Sequence, residues 1–170
     1  MKKFCLILCL CIIGLFYASC GATNKEITMK DFENYASTYK NKIQSVDESL
    51  IINESSLAAQ NGDYIKVYSI ETTDGMCYGV TLTVISAKKA RLMIEFNCAD
   101  ENWNADNIAL FATFISELSS YELQFSEVND ACSEMHQSDY YRFNKNARLF
   151  WSDKRSTLYY EEQLNIDMNS

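Results

Sequence analysis

Behind an opening apolar run, hydrophobic and polar positions alternate along the chain with two different periods, and the switches between them set the expected architecture. Thr28 and Asp31 stand at capping-box spacing, and Phe32, Ala36, Tyr39, Ile43 and Val46 follow at steps of four and three. That spacing predicts a helix with one apolar stripe. Asp47-Glu48-Ser49 ends it, Leu50 to Ile52 predict a short strand, and Gln60-Asn61-Gly62-Asp63 turn the chain into a strand from Tyr64 to Glu71 with Ile65, Val67 and Ser69 on one side. After Thr73-Asp74-Gly75, the residues Tyr78, Val80, Leu82 and Val84 recur at period two, as do Leu92, Ile94, Phe96 and Cys98. Residues opposite one another in an antiparallel pair share a face. The expected register therefore sets Val84 by Leu92, Leu82 by Ile94, Val80 by Phe96 and Tyr78 by Cys98, with Ala87-Lys88-Lys89 as the loop.

The period then returns to that of a helix. Ile108, Phe111, Ala112, Ile115 and Leu118 form a stripe widened by Leu110 and Phe114, starting near Asn104. Ser119 and Glu122 have capping-box spacing for a second helix, whose inner stripe reads Tyr121, Phe125, Val128, Cys132 and Met135. From Tyr140 to Tyr160 the chain is aromatic and strand-like, with breaks at Asn144-Lys145-Asn146 and Ser152 to Ser156, which predicts a three-stranded meander. Strands grouped around a helix pair, not alternating singly with helices, argue for an α+β fold. Its sheet should be mostly antiparallel, with the N-terminal helix and the central pair packed on one face. The chain has no proline and no linker-like stretch, which favours a single domain over residues 28–164 and a polar tail over 165–170.

The opening run has its own grammar. Lys2 and Lys3 precede an uncharged stretch from Phe4 to Phe16 of roughly 13 residues, shorter than the ~20 needed to span a bilayer. Ala18-Ser19-Cys20 follows, and this arrangement resembles the bacterial lipoprotein signal, in which small residues precede a cysteine that is acylated after cleavage. Tyr17 stands where that motif usually has Leu, Val, Ile or Ala. The resemblance implies a signal peptide over residues 1–19, lipid (palmitate among its acyl chains) on Cys20, and a tether over 20–27. It also implies an extracytoplasmic domain anchored by lipid in the cell envelope. Cleavage after Ala22 and an uncleaved anchor are the alternatives. In layout, the domain behind the signal is similar to small exported lipoproteins of unknown function.

Charge narrows the partners. The 170 residues carry 15 basic and 23 acidic side chains, and loss of the signal's two lysines leaves a net of −10. The basic residues are scattered singly or in pairs such as Lys88-Lys89 and Lys154-Arg155, which argues against a nucleic acid partner, since that needs several phosphate contacts from Lys and Arg. An acidic surface serves solubility, or it could dock on a basic protein as an immunity or inhibitor lipoprotein does.

Little in the chain points to catalysis. Once the signal is removed and Cys20 is acylated, Cys77, Cys98 and Cys132 remain. Cys98 and Cys132 both fall on apolar faces that must meet, so they are the candidate disulfide, against the alternative of two buried thiols. His136, the only histidine, lies four residues after Cys132, but an apolar stripe does not activate a thiolate, and the Cys and His spacings do not make a zinc site. Asp100, Asn102, Asn104 and Asp106 alternate like the first ligands of a calcium loop. Ala105 replaces the required Gly and Phe111 the closing Glu, so a capping turn is the simpler reading. Tyr140, Tyr141, Trp151, Tyr159 and Tyr160 crowd the tail, and each adjacent pair must split between the two sheet faces, leaving aromatic surface for a ligand. With no Ser-His-Asp motif, phosphate loop or cofactor signature, the expectation is a binding module for a protein or small ligand, not an enzyme.

Overall fold

The computed structural model describes residues 27–60, 62–73, 75–97, 103–135, 140–152 and 156–168. The expected signal over residues 1–19, Cys20, Cys98, Asp100, Asn102, His136 and Lys154-Arg155 lie outside the described residues. Helix α1 (Met29–Val46) starts at Thr28, whose hydroxyl accepts from the Asp31 N–H while the Asp31 carboxylate accepts from the Thr28 N–H. Its buried residues are Phe32, Ala36, Tyr39 and Ile43, the stripe expected from the spacing. Four strands follow, β1 (Ile51–Ala58), β2 (Tyr64–Glu71), β3 (Cys77–Ser86) and β4 (Lys89–Asn97). Helices α2 (Ala105–Leu118) and α3 (Phe125–Glu134) then lead to β5 (Tyr140–Arg142), β6 (Ala147–Ser152) and β7 (Thr157–Asn165).

The seven strands form one antiparallel sheet in the order β1-β2-β3-β4-β7-β6-β5. Two meanders are thus joined through β4 and β7, and the α2–α3 pair is the connection between them. This is the α+β architecture read from the sequence, with the C-terminal meander in place. One sheet face supplies Tyr68, Ile70, Tyr78, Val80, Leu82, Leu92, Ile94, Phe96 and Tyr160 to a core shared with all three helices. Phe111 and Phe114 of α2 reach into that layer, where Phe114 meets Tyr78 at 5.4 Å and Phe111 meets Phe96 at 5.7 Å between ring centroids.

Three local expectations are corrected. Strand β1 runs to Ala58, well beyond Ile52, because it is an edge strand whose full length pairs with β2. Its exposed Asn53 to Ser56 carry no apolar alternation to announce it. In the β3–β4 hairpin, Leu82 pairs with Leu92, Val80 with Ile94 and Tyr78 with Phe96, and the loop shortens to Ala87-Lys88 beside an irregularity between Val84 and Ser86. A shift of two residues returns every side chain to its own face, so alternation alone fits both registers. The observed one lets the backbone carbonyls of Ala87 and Lys88 accept from the Met168 and Ile166 N–H groups, which ties residues 166–168 to the turn. Finally, α3 starts at Phe125, not Tyr121, and its N-cap Gln124 makes no side-chain cap. The Ser119 hydroxyl is committed elsewhere, as described below.

Candidate functional site

Among the described residues no helix covers the second sheet face, and its C-terminal half gathers the most varied chemistry in the fold. Register decides which side chains meet there. Tyr140 of β5 pairs with Phe150 of β6, which pairs with Tyr159 of β7, so three rings line up across three strands. Phe150 and Tyr159 stack at 5.0 Å with an 11° interplanar angle. One step along the strands, Arg142 pairs with Arg148, and Arg148 with Glu161. The neighbouring rings Tyr141 and Tyr160 point to the helix side, so both adjacent tyrosine pairs split between the faces as period two demands.

Charge on this row is unevenly matched. Arg148 Nε donates to Glu161 Oε2 at 2.8 Å, and Arg148 Nη2 contacts the same oxygen. Arg91 of β4 approaches the other oxygen, with Nε 3.4 Å from Glu161 Oε1, an ion pair without hydrogen-bond geometry. Glu161 thus serves two arginines, and its hydrogen bond holds the Arg148 guanidinium above its ordinary pKa. Arg142 has no carboxylate partner among the described residues. Its Nε donates instead to the Tyr140 hydroxyl at 2.8 Å, and the guanidinium lies 5.7 Å from the centre of the same ring. That hydrogen bond pulls the Tyr140 phenol below its usual pKa.

Between these side chains and the β5–β6 turn lies a cleft of about 220 Å³, lined by Tyr140, Arg142, Lys145, Arg148, Glu161 and Gln163 among others. The turn is held firmly. Asn144 Oδ1 accepts from the backbone N–H groups of Asn146 at 2.8 Å and Ala147 at 3.0 Å. Asn146 Nδ2 donates to the Tyr121 hydroxyl and its carbonyl accepts from the Gln163 N–H. Lys145 is therefore presented from a braced backbone, with its side chain in solvent.

Directly behind the cleft, on the helix side of β7, Glu162 is wholly buried. Its carboxylate accepts from Ser119 Oγ at 2.7 Å, Ser120 N at 2.9 Å and the Tyr160 hydroxyl at 2.6 Å, and also from Ser120 Oγ. Four donors on two oxygens satisfy an ionised carboxylate in the core, where an unmatched one would be costly. Burial, then the Glu162 charge beside it, pushes the Tyr160 phenol up. This network holds the α2–α3 linker against β7. It is why Ser119 does not cap α3, and the sequence offers no signal for it, because Glu161-Glu162 reads as an ordinary acidic pair.

The other residues singled out in the sequence are dispersed. Cys132 is buried in the inner stripe of α3, and Cys77 lies on the helix-free face, partly exposed, paired in register with Glu71. The other half of the candidate disulfide, Cys98, lies outside the described residues, as does His136. Asn104 caps α2 by accepting from the Asn107 N–H at 3.0 Å, the capping role expected for that turn. Among the described residues no group of three or more His, Cys, Asp and Glu side chains could hold a metal ion, and no helix is long and apolar enough to cross a membrane. No protein family matches the chain, and neither a curated protein nor a solved structure matches it.

Proposed function

We propose that this protein is a lipid-anchored, extracytoplasmic binding module whose receptor surface is the helix-free face of β5, β6 and β7. The anchor rests on the signal-like N-terminus and Cys20. The observation that carries the binding role is the Arg142–Arg148 cross-strand pair beside Tyr140. Glu161 neutralises Arg148, but Arg142 directly opposite has no carboxylate partner among the described residues, a like-charge placement that costs the sheet, and the exposed ring beside it adds nothing to the core. A fold keeps such features where a ligand repays them. Glu161, the carboxylate on this surface, is engaged by Arg148 and Arg91, which suits it to a structural part in a binding face.

The reading is tested in native host cells by placing a photo-crosslinking residue at position 140, with a second at position 30 on the exposed side of α1 as control. A defined mass adduct from position 140 alone, together with release of the protein from the membrane fraction in Cys20→Ser, is the expected result. Equal labelling from both positions sinks the binding face, and an unchanged membrane fraction in Cys20→Ser sinks the anchor.

A further inference from the structure

We infer that the cleft between the β5–β6 turn and β7 is a site for a phosphate group, held by Arg142 and Lys145. The inference rests on the binding-module reading and names its ligand chemistry. From Tyr140 to Ser152 the hairpin carries Arg142, Lys145 and Arg148 and no acidic residue, in a chain whose formal charge is −8. Glu161 is occupied by Arg148 and Arg91, which leaves Arg142 and Lys145 lining the same cleft with no ion pair of their own among the described residues. Two unmatched cations call for a dianion, and a phosphate monoester supplies one where a carboxylate supplies half the charge. The donors are also suited to it. The Arg142 fork, whose Nε donates to the Tyr140 hydroxyl, has terminal N–H groups suited to paired acceptors. A volume of about 220 Å³ lies below the range of ~300–1,000 Å³ usual for drug-sized ligands, so the cleft takes the phosphate while the rest of the ligand lies outside along the exposed edge of Tyr140.

Such a phosphate has two sources, a soluble phosphorylated compound or a lipid headgroup, and the site's position suits either. The Asn144–Asn146 turn lies at the same end of the sheet as the β3–β4 turn and Ile27, which precedes α1. The test uses full-chain protein in non-ionic detergent, titrated with inorganic phosphate by calorimetry at constant ionic strength, and separately sedimented with phosphatidylcholine vesicles with and without phosphatidic acid. Saturable phosphate binding, weakened about tenfold or more in Arg142→Gln and in Lys145→Gln, partly recovered in Arg142→Lys and unchanged in Lys40→Gln, supports a soluble source. The same variant pattern seen only with phosphatidic acid vesicles supports the lipid source. No binding in either arm, or binding that Arg142→Gln leaves intact, overturns the phosphate assignment. That failure leaves the position-140 adduct standing, whereas loss of the adduct with phosphate binding intact overturns only the larger receptor face.

Discussion

Ser119 Oγ lies 2.7 Å from Glu162 Oε2, a hydrogen bond that fastens the end of α2 to strand β7 across 43 residues of chain. The carboxylate is fully buried and every donor around it is neutral, so its stability depends on the complete set. Glu162→Gln puts an NH2 group among donors and leaves at least one buried hydroxyl without an acceptor, a cost of about 2–3 kcal/mol. In a chain of this length that lowers the thermal midpoint by about 5–10 °C. Ser119→Ala should cost less alone, and a double-mutant cycle should show the two substitutions to be strongly non-additive, because they remove one shared contact. Additive losses would mean that Ser119 and Glu162 act independently.

Lys66 gives a pH signature on the other side of the molecule. Its ammonium is buried, 2.9 Å from Glu33 and 3.1 Å from Glu54, and Lys40 also holds Glu54 at 2.9 Å. Hydrogen bonds from Ser56 and then Lys66 lower the Glu33 pKa, and those from Lys40 and then Lys66 lower that of Glu54. Burial pulls Lys66 down, but its bonds to the two carboxylates outweigh it, and the net shift is upward. Depressed carboxylates contribute stability above their unfolded values of about 4.3, and that contribution disappears as pH falls through the folded values. The raised lysine contributes below about 10.4 and loses its contribution as pH rises through its folded value. Denaturant titrations of wild type and Lys66→Met should therefore differ most between these limits and converge toward pH 3. A gap that stays constant into acid would show that packing of the lysine stem, and not the ion pairs, is what matters.

Tyr68 isolates one buried hydroxyl. Its ring is inaccessible and its OH donates to the Ala36 carbonyl at 2.6 Å, joining β2 to the middle of α1. Tyr68→Phe keeps the ring and removes that bond, for a loss of about 1 kcal/mol by chemical denaturation, whereas Tyr68→Ala should cost about 3–5 kcal/mol through the cavity it opens. A Tyr68→Phe loss equal to that of Tyr68→Ala would mean the hydroxyl governs the contact.

These sites show what the sequence made legible. Period and caps located α1, α2, β2 and the C-terminal meander, because each carries its own apolar face and its own stop signals. The β5–β7 aromatic split was readable for the same reason, since adjacent tyrosines must point apart. What the pattern left hidden was long-range. The β3–β4 register depends on residues 166–168 reaching the Ala87-Lys88 turn, β1 depends on β2 for its length, and Ser119 depends on a carboxylate 43 residues away. The cleft was hidden too. Arg142 and Arg148 are unremarkable in sequence and become a pair only when β5 folds against β6.

Glu161 is the acid that makes that pair tolerable, which sets a final expectation. Among the described residues it is the carboxylate lining the cleft, and it meets both Arg148 and Arg91. Glu161→Gln keeps the shape and removes the charge, leaving four cations facing one another across β4, β6 and the hairpin. The free protein should lose about 1 kcal/mol at low salt, the scale of a partly exposed ion pair within a small network. Part of that deficit should close as salt screens the repulsion, because the Debye length falls from about 30 Å at 0.01 M to about 10 Å at 0.1 M. Phosphate should bind the variant more tightly, since the anion then supplies the charge the carboxylate gave up. A variant that is destabilised by the same amount at all salt concentrations, and that binds phosphate no better than wild type, would show that Glu161 serves the strand pairing and has no bearing on the cleft.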